Sequence, residues 1–340
     1  MFLIHTSPDH AEVVARAVVG SCRLDGWATP VQPQLLHTLF NRLLGKDFDF
    51  EKLAPVAPSD VANVLRTQAE RDELVQLMAV MEVLANPLPA ALTQSVASWA
   101  RQLGVHERSL TYVRDLVHGE TAKAVRDFYR LNWIGDLDRR TPEFQALVRR
   151  VGDKAYAMTA DVNPTESARW EALGTNPPGS IGHTLSQFYA LRGFKLPGQA
   201  DGVNAAVAQH DWVHVLADYG TTPLGELEVV SFQAAASRTP GGTLGFVGAL
   251  ALFQSGLMPA SLLVKNQTGH ALDAPGALDR IAEAVARGGA CKRDLLLDVD
   301  FFKYQGEPLT DVRARFGVPP KSARTLELDP YGAMKLPPSP

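Results

Sequence analysis

The sequence predicts an all-α protein in two helical domains, and three observations carry that reading. Apolar residues recur three and four positions apart in segment after segment, the period of one buried helix face. These segments are bracketed by the residues that start and stop helices, with Ser, Thr or Pro before and Gly or Asn-Pro after. Alternating patterns are scarce, and LLLDVDFF at 295–302 is the best strand candidate.

Taken in order, Ser7-Pro8-Asp9 supplies an N-cap, a proline at the first helical position and an acid in the first turn, and Gly20 is expected to close that helix. Leu35, Leu36, Leu39, Phe40, Leu43 and Leu44 form the next apolar face, ended by Gly45. A third face is Leu74, Leu77, Met78, Met81 and Leu84, stopped by Asn86-Pro87; Pro89 then opens a helix through Trp99 and Leu103 to Gly104. Thr141-Pro142-Glu143 starts another, with Phe144, Leu147, Val148 and Val151 on one side. The turn formers of 159–179 lead into a new helical run. The expected organisation is a helical bundle over 1–118, boundary helices over 119–153, a second helical domain over 154–325 and a flexible tail over 326–340.

A chain of 340 residues suits two compact domains better than one. Its 46% hydrophobic and 21% charged residues are ordinary globular composition, which excludes global disorder. The net charge of -4, with no dense Lys/Arg run, gives no electrostatic footprint for nucleic acid. Cys22 and Cys291 lie far apart without CxxC spacing and read as buried thiols in a reducing compartment. The start, MFLIHTSPDH, has neither the basic region nor the apolar core of a signal peptide, and it is not arginine-rich like a transit peptide, so a cytoplasmic location is expected. From Thr239 to Val264 no residue is charged, a length that suits a bilayer span. Gly245, Gly248, Gln254, Ser255, Gly256 and Pro259 interrupt it, so a buried helix facing an apolar ligand is the preferred reading.

The chemistry concentrates at 210–226, HDWVHVLADYGTTPLGE. His210 and His214 are four residues apart, which on a helix puts both imidazoles on one face, close enough to share a cation. Val203, Val207, Val213, Leu216 and Ala217 supply the apolar stripe of that helix, and Gly220 is expected to end it. Thr221-Thr222 offers the next N-cap and Pro223 the first helical residue, so Glu226 falls in the opening turns and a helix–turn–helix hairpin can fold its carboxylate back. Asp211 is turned about 100° from His210 and suits direct ligation or an orienting role. Two nitrogens and two oxygens fit Zn²⁺ or Fe²⁺. Asp218 and Tyr219 read as helix-end residues, and Glu228, nearly opposite Glu226, as solvated. HDWVH also has the frame of a zincin motif with Asp for Glu, but the shorter side chain reaches poorly as a base.

HDxxH, eleven residues, then Glu, with a Tyr-Gly turn and Leu-Gly before the Glu, resembles the signature of the ubiquinone (coenzyme Q) biosynthesis family called Coq-four. GSIGHTLSQFYALRGF (179–194) is similar to that family's upstream segment, and 279–320, with its arginine helix and Gly-Val-Pro-Pro end, to its closing region. The likeness covers roughly 140–320. It implies an all-helical protein whose metal ligands are His210, Asp211, His214 and Glu226, peripheral on the inner face of a membrane, binding a polyprenylated quinone precursor or other isoprenoid lipid. It further implies contact with other quinone-biosynthesis proteins, and homo-oligomers stay open. The activity implied is metal-assisted, or oxidative, decarboxylation of a polyprenylated hydroxybenzoate; a non-catalytic prenyl-lipid scaffold is the alternative. Residues 1–118, with breaks at Leu24-Asp25-Gly26 and Ala85-Asn86-Pro87, resemble the tellurite-resistance B-like helical domain, although Asn86 stands where an acid is expected. Typical short Coq-four members lack such a domain, which leaves the substrate open to a related isoprenoid or quinone.

Overall fold

A computed structural model describes residues 2–157, 161–258 and 269–337. Among them are 17 α-helices and several short 3-10 turns, with no strand beyond the isolated bridge between Ser180 and Pro308. The chain is all-α, as its periodicity predicts. The best strand candidate, 295–302, is instead a turn running into a 3-10 helix, Phe301–Tyr304. Aspartates make the difference. Asp294 accepts from the backbone N–H groups of Leu296 and Leu297, and Asp300 from that of Phe302, so local carboxylates satisfy amides that a ladder would have used.

The N-terminal helices are α1 (Ala11–Cys22), α2 (Val31–Leu44), α3 (Pro58–Val64), α4 (Gln68–Val83) and α5 (Ala90–Leu103); α1 packs against α3, α4 and α5, and α4 against α5. Gly45 and Gly104 end α2 and α5 in the left-handed conformation that glycine tolerates, at φ 64° and 69°. Thr67 and Glu70 cap α4 reciprocally. Two expected boundaries move. Residues 7–10 make a turn ahead of α1, and α1 runs through Gly20 to Cys22. Gly20 is there for packing: a Cβ would stand 3.1 Å from the Trp99 ring and 3.2 Å from the Val56 carbonyl oxygen.

The remaining helices are α6 (Arg108–Val117), α7 (Thr121–Leu131), α8 (Trp133–Arg140), α9 (Pro142–Val151), α10 (Pro164–Glu171), α11 (Ile181–Arg192), α12 (Ala205–Ala217), α13 (Pro223–Ala236), α14 (Pro240–Phe253), α15 (Ala277–Gly289), α16 (Leu309–Phe316) and α17 (Ala323–Leu328). The centre is α13, packed between α14 and α15. Helices of the first 118 residues pack onto these: α2 on α15, and α4 and α6 on α14. Phe2 meets Phe246 edge-on at 4.9 Å, and Asn86 donates to the Ser255 carbonyl at 2.7 Å.

Helix α14 carries the uncharged stretch and is buried from Gly241 to Phe253; the part of that stretch from 259 to 264 lies outside the described residues. No helix among the described residues is long and apolar enough to cross a membrane. Glu228, expected at a solvated face, is fully buried, because α13 has neighbours on every side. It accepts from Arg280 at 3.0 and 2.6 Å, and Arg280 also donates to Asp329 at 2.6 Å. The segment expected as a tail thus runs back over the body, where Ala333 is buried and donates its N–H to Asp218.

Candidate metal centre

Asn204 starts α12 by accepting from the Ala206 N–H at 2.9 Å. Asp218, rather than Gly220, ends it, in a left-handed conformation at φ 61° that aspartate tolerates better than most residues. Thr222 then caps α13, accepting from the Gly225 N–H at 3.1 Å, with Pro223 at the first helical position. The reversal is tight. A Cβ at Gly225 would stand 2.4 Å from the Gly220 carbonyl oxygen, so the Leu-Gly before Glu226 is a steric requirement of the hairpin.

This hairpin brings the four predicted residues together. The Nε2 atoms of His210 and His214 are 2.9 Å apart, and one Glu226 oxygen lies 3.2 Å from the first and 3.4 Å from the second. Ligand atoms of His210, Asp211 and His214 all fall within 4.8 Å of one another. Asp211 is also the acceptor of the Tyr189 hydroxyl, at 2.5 Å.

Each imidazole is held from behind. His214 Nδ1 faces the Tyr219 carbonyl oxygen at 3.1 Å, and His210 Nδ1 faces the Gln233 amide oxygen at 2.9 Å. Oxygens that only accept require N–H at Nδ1, which leaves the Nε2 lone pairs turned toward each other and toward Glu226. Aromatic rings fix the planes: Trp133 is stacked on His210 at 6.0 Å and 20°, and Phe188 on His214 at 5.6 Å and 30°. The open carbonyls at the end of α12 are satisfied by guanidinium groups, Arg313 to Leu216 and Val215, and Arg287 to Ala217.

Burial opposes the charged form of Glu226, yet His214 and His210 beside it hold its carboxyl well below the usual range. Burial likewise opposes charging His210, and Glu226 outweighs it, so that imidazole is raised above its ordinary value. Asp211 goes the other way, raised by burial against the pull of the histidines. The cluster is therefore a low-dielectric pocket in which Glu226 is the settled anion.

His210, Asp211 and Glu226 stand on the wall of a cavity of about 540 Å³ whose other lining is mainly apolar, including Val230, Ala249, Leu252 and Phe253. The described part of the uncharged stretch thus flanks the site as expected. Sequence reasoning missed the supporting groups. Gln233 lies seven residues after Glu226 on α13, two helical turns along one face, a spacing that signals it. Tyr219 works through its carbonyl, which no side-chain pattern reveals, and Tyr189, Trp133, Arg287 and Arg313 come from distant segments.

No family model matches the chain, and no curated relative does. Among solved structures it is similar to one from Nostoc punctiforme PCC 73102, named "Putative ubiquinone biosynthesis protein", with 18% identity, 72% of this chain and 96% of that chain covered, and a TM-score of 0.33.

Proposed function

We propose that His210, Asp211, His214 and Glu226 hold one divalent cation, Zn²⁺ first and Fe²⁺ as the alternative. On this reading the protein removes the ring carboxylate of a polyprenylated hydroxybenzoate or related quinone precursor, in a pathway of the ubiquinone-biosynthesis type. The observation that carries it is the meeting of two Nε2 atoms and a Glu226 oxygen, all within 3.4 Å of one another, beside an apolar cavity that His210 and Glu226 line.

The donor set fits a metal. Ligands about 2.0–2.1 Å from one shared ion lie roughly 3 Å from each other, as these three atoms do. Two nitrogen lone pairs aimed at each other repel unless a positive charge sits between them. When bound, the ion supplies Lewis acidity toward the carboxylate and phenol oxygens of a substrate. The chain's own residues do the rest. Gln233 and the Tyr219 carbonyl keep both imidazoles in the ligating tautomer, Tyr189 holds Asp211, and α14 walls out water. In the reaction the ring–carboxylate bond breaks and carbon dioxide leaves. The electron pair stays on the ring carbon, which takes a proton; an oxidative course ends in a ring hydroxyl instead and needs dioxygen together with a two-electron reductant, one oxygen atom going to the ring and the other to water.

Phe194 and Lys195 line the cavity, and Leu191 and Phe194 are exposed at the end of α11. An apolar rim beside a cation suits delivery of a lipid from a membrane surface and supports peripheral attachment, with other quinone-biosynthesis proteins as neighbours there. The same cavity supports a second reading, a non-catalytic carrier that holds a prenyl lipid for partner enzymes. Carbon dioxide release from a ring-carboxylate-labelled substrate separates the two. Catalysis requires release by the wild type and a loss of orders of magnitude in Glu226→Gln at matched metal loading; equal release from both, or none from wild type with varied metals and oxygen, favours the carrier.

A further inference from the structure

Two residues that line the cavity carry polar groups with no role in holding the cation. The Tyr129 hydroxyl and the Trp133 Nε1 are buried without a hydrogen-bond partner among the described residues, and both residues line the cavity. Most buried polar atoms find a partner in the folded chain, so two orphans carried by residues of one cavity wall, next to a ligand-type cluster, point to a partner supplied from outside as the wall adjusts around a ligand.

Their placement is built into the packing. Asn132 caps α8 by accepting from the Ile134 N–H at 2.9 Å, which fixes Trp133 at the first helical position. The Trp133 ring lies nearly parallel to the His210 imidazole and rests on Gly245 of α14, where a Cβ would stand 3.4 Å from it. One turn along α14, Gly248 makes room for Phe128, whose ring a Cβ would approach to 2.1 Å. Gly241 does the same for the Asn132 backbone, with a Cβ 2.9 Å from its carbonyl oxygen. Glycines at 241, 245 and 248 share one helix face, and by bringing α7 and α8 close they carry Tyr129 and Trp133 to the cavity. An indole N–H only donates, and burial pushes the Tyr129 hydroxyl further from ionising, so it too remains a donor.

We propose that Trp133 and Tyr129 are head-group readers: the ligand carries oxygen acceptors for Trp133 Nε1 and the Tyr129 hydroxyl, and an apolar tail for the rest of the cavity. The site is the one proposed above, and the inference rests on that reading for its location. The chemistry required is an oxygen-bearing, carboxylate-type head on a hydrocarbon, which either a prenylated ring acid or an aliphatic acid supplies.

The test is calorimetric titration of the full-length protein and its Trp133→Phe and Tyr129→Phe variants with three probes: 3-geranyl-4-hydroxybenzoate, palmitate, and farnesene, which has no oxygen. Both variants keep the ring and lose only the donor, and circular dichroism checks their fold. Each variant should bind the oxygen-bearing probe about tenfold more weakly, about 1.4 kcal/mol, and bind farnesene as the wild type does. Affinities within twofold of wild type for the oxygen-bearing probes overturn the inference. So does an equal loss for farnesene, or a wild type that binds neither oxygen-bearing probe. Selective loss seen with palmitate, when the prenylated benzoate does not bind, upholds the readers and removes the ring-acid substrate. Tight benzoate binding indifferent to both variants upholds the substrate and removes the readers.

Discussion

His214 Nδ1 and the Tyr219 carbonyl oxygen are 3.1 Å apart, across the turn that ends α12. That contact decides which nitrogen of His214 faces the cluster, and it ties the imidazole to a backbone atom that no side-chain substitution removes. Its counterpart at His210 is a side chain, the Gln233 amide, at 2.9 Å. The two imidazoles are therefore supported unequally, and His210 is the one a single substitution can release.

Gln233→Leu should lower Zn²⁺ affinity by about 10–100-fold, the effect of losing the partner behind a ligating imidazole. Competition with a chromophoric chelator measures it. An affinity within twofold of wild type would show that Gln233 does not orient His210.

Arg280 is the common partner of Glu228 and Asp329, and all three are buried. Arg280→Met leaves two carboxylates without their cation in a low-dielectric site and should destabilise the fold by about 3–5 kcal/mol. Urea unfolding followed by circular dichroism reads the change, and adding Glu228→Leu should restore part of it. A loss below about 1 kcal/mol for the single variant would mean that water already screens the cluster.

Two glycines of α14 should respond differently to alanine. At Gly248 the new Cβ would meet the Phe128 ring at 2.1 Å, so overpacking should cost about 1–3 kcal/mol and displace the α7–α8 wall of the cavity. At Gly245 the contact with Trp133 is an ordinary 3.4 Å, and the helix preference for alanine over glycine, up to about 1 kcal/mol, should leave stability unchanged or raised. Equal melting temperatures for the two variants would contradict the packing described for α14.

Glu82 gives a pH dependence away from the cluster. Both its oxygens are buried without a hydrogen-bond partner, and burial pushes its carboxyl up to about 7. The folded state thus holds a proton that the unfolded chain releases near 4.5. The resulting stability is complete below that value and is lost as pH rises toward about 7. Glu82→Gln, neutral at every pH, should remove this decline, which at about 1.4 kcal/mol per unit of pH is large enough to follow by urea unfolding. Identical slopes for variant and wild type between about pH 5 and about pH 7 would show that Glu82 is not responsible.

What could be read from sequence followed local physics. Helical periodicity gave the all-α class, and Gly45, Gly104, Thr222 and Pro223 marked real helix ends because caps act within one turn. The HDxxH-Glu spacing brought His210, Asp211, His214 and Glu226 into one place because a hairpin of two helices is itself local. Reading failed where long-range packing or a carboxylate intervened. Gly20 punctuates nothing because it faces Trp99, 295–302 turns because Asp294 and Asp300 cap it, and Glu228 is buried because α15 brings Arg280 to it. Trp133, Tyr189 and the two arginines behind α12 lie between 21 and 87 residues from the nearest of the four cluster residues, too far for any spacing rule.

Whether this cluster binds a metal is decided by metal stoichiometry. The full-length protein and His214→Ala should be incubated with Zn²⁺ or, without oxygen, Fe²⁺, passed through a desalting column and assayed by plasma mass spectrometry, with circular dichroism to verify the fold. A single ion per wild-type chain is expected, and an ion-free variant that is still helical. A folded wild type that retains neither metal, or a variant that retains as much as the wild type, would contradict it.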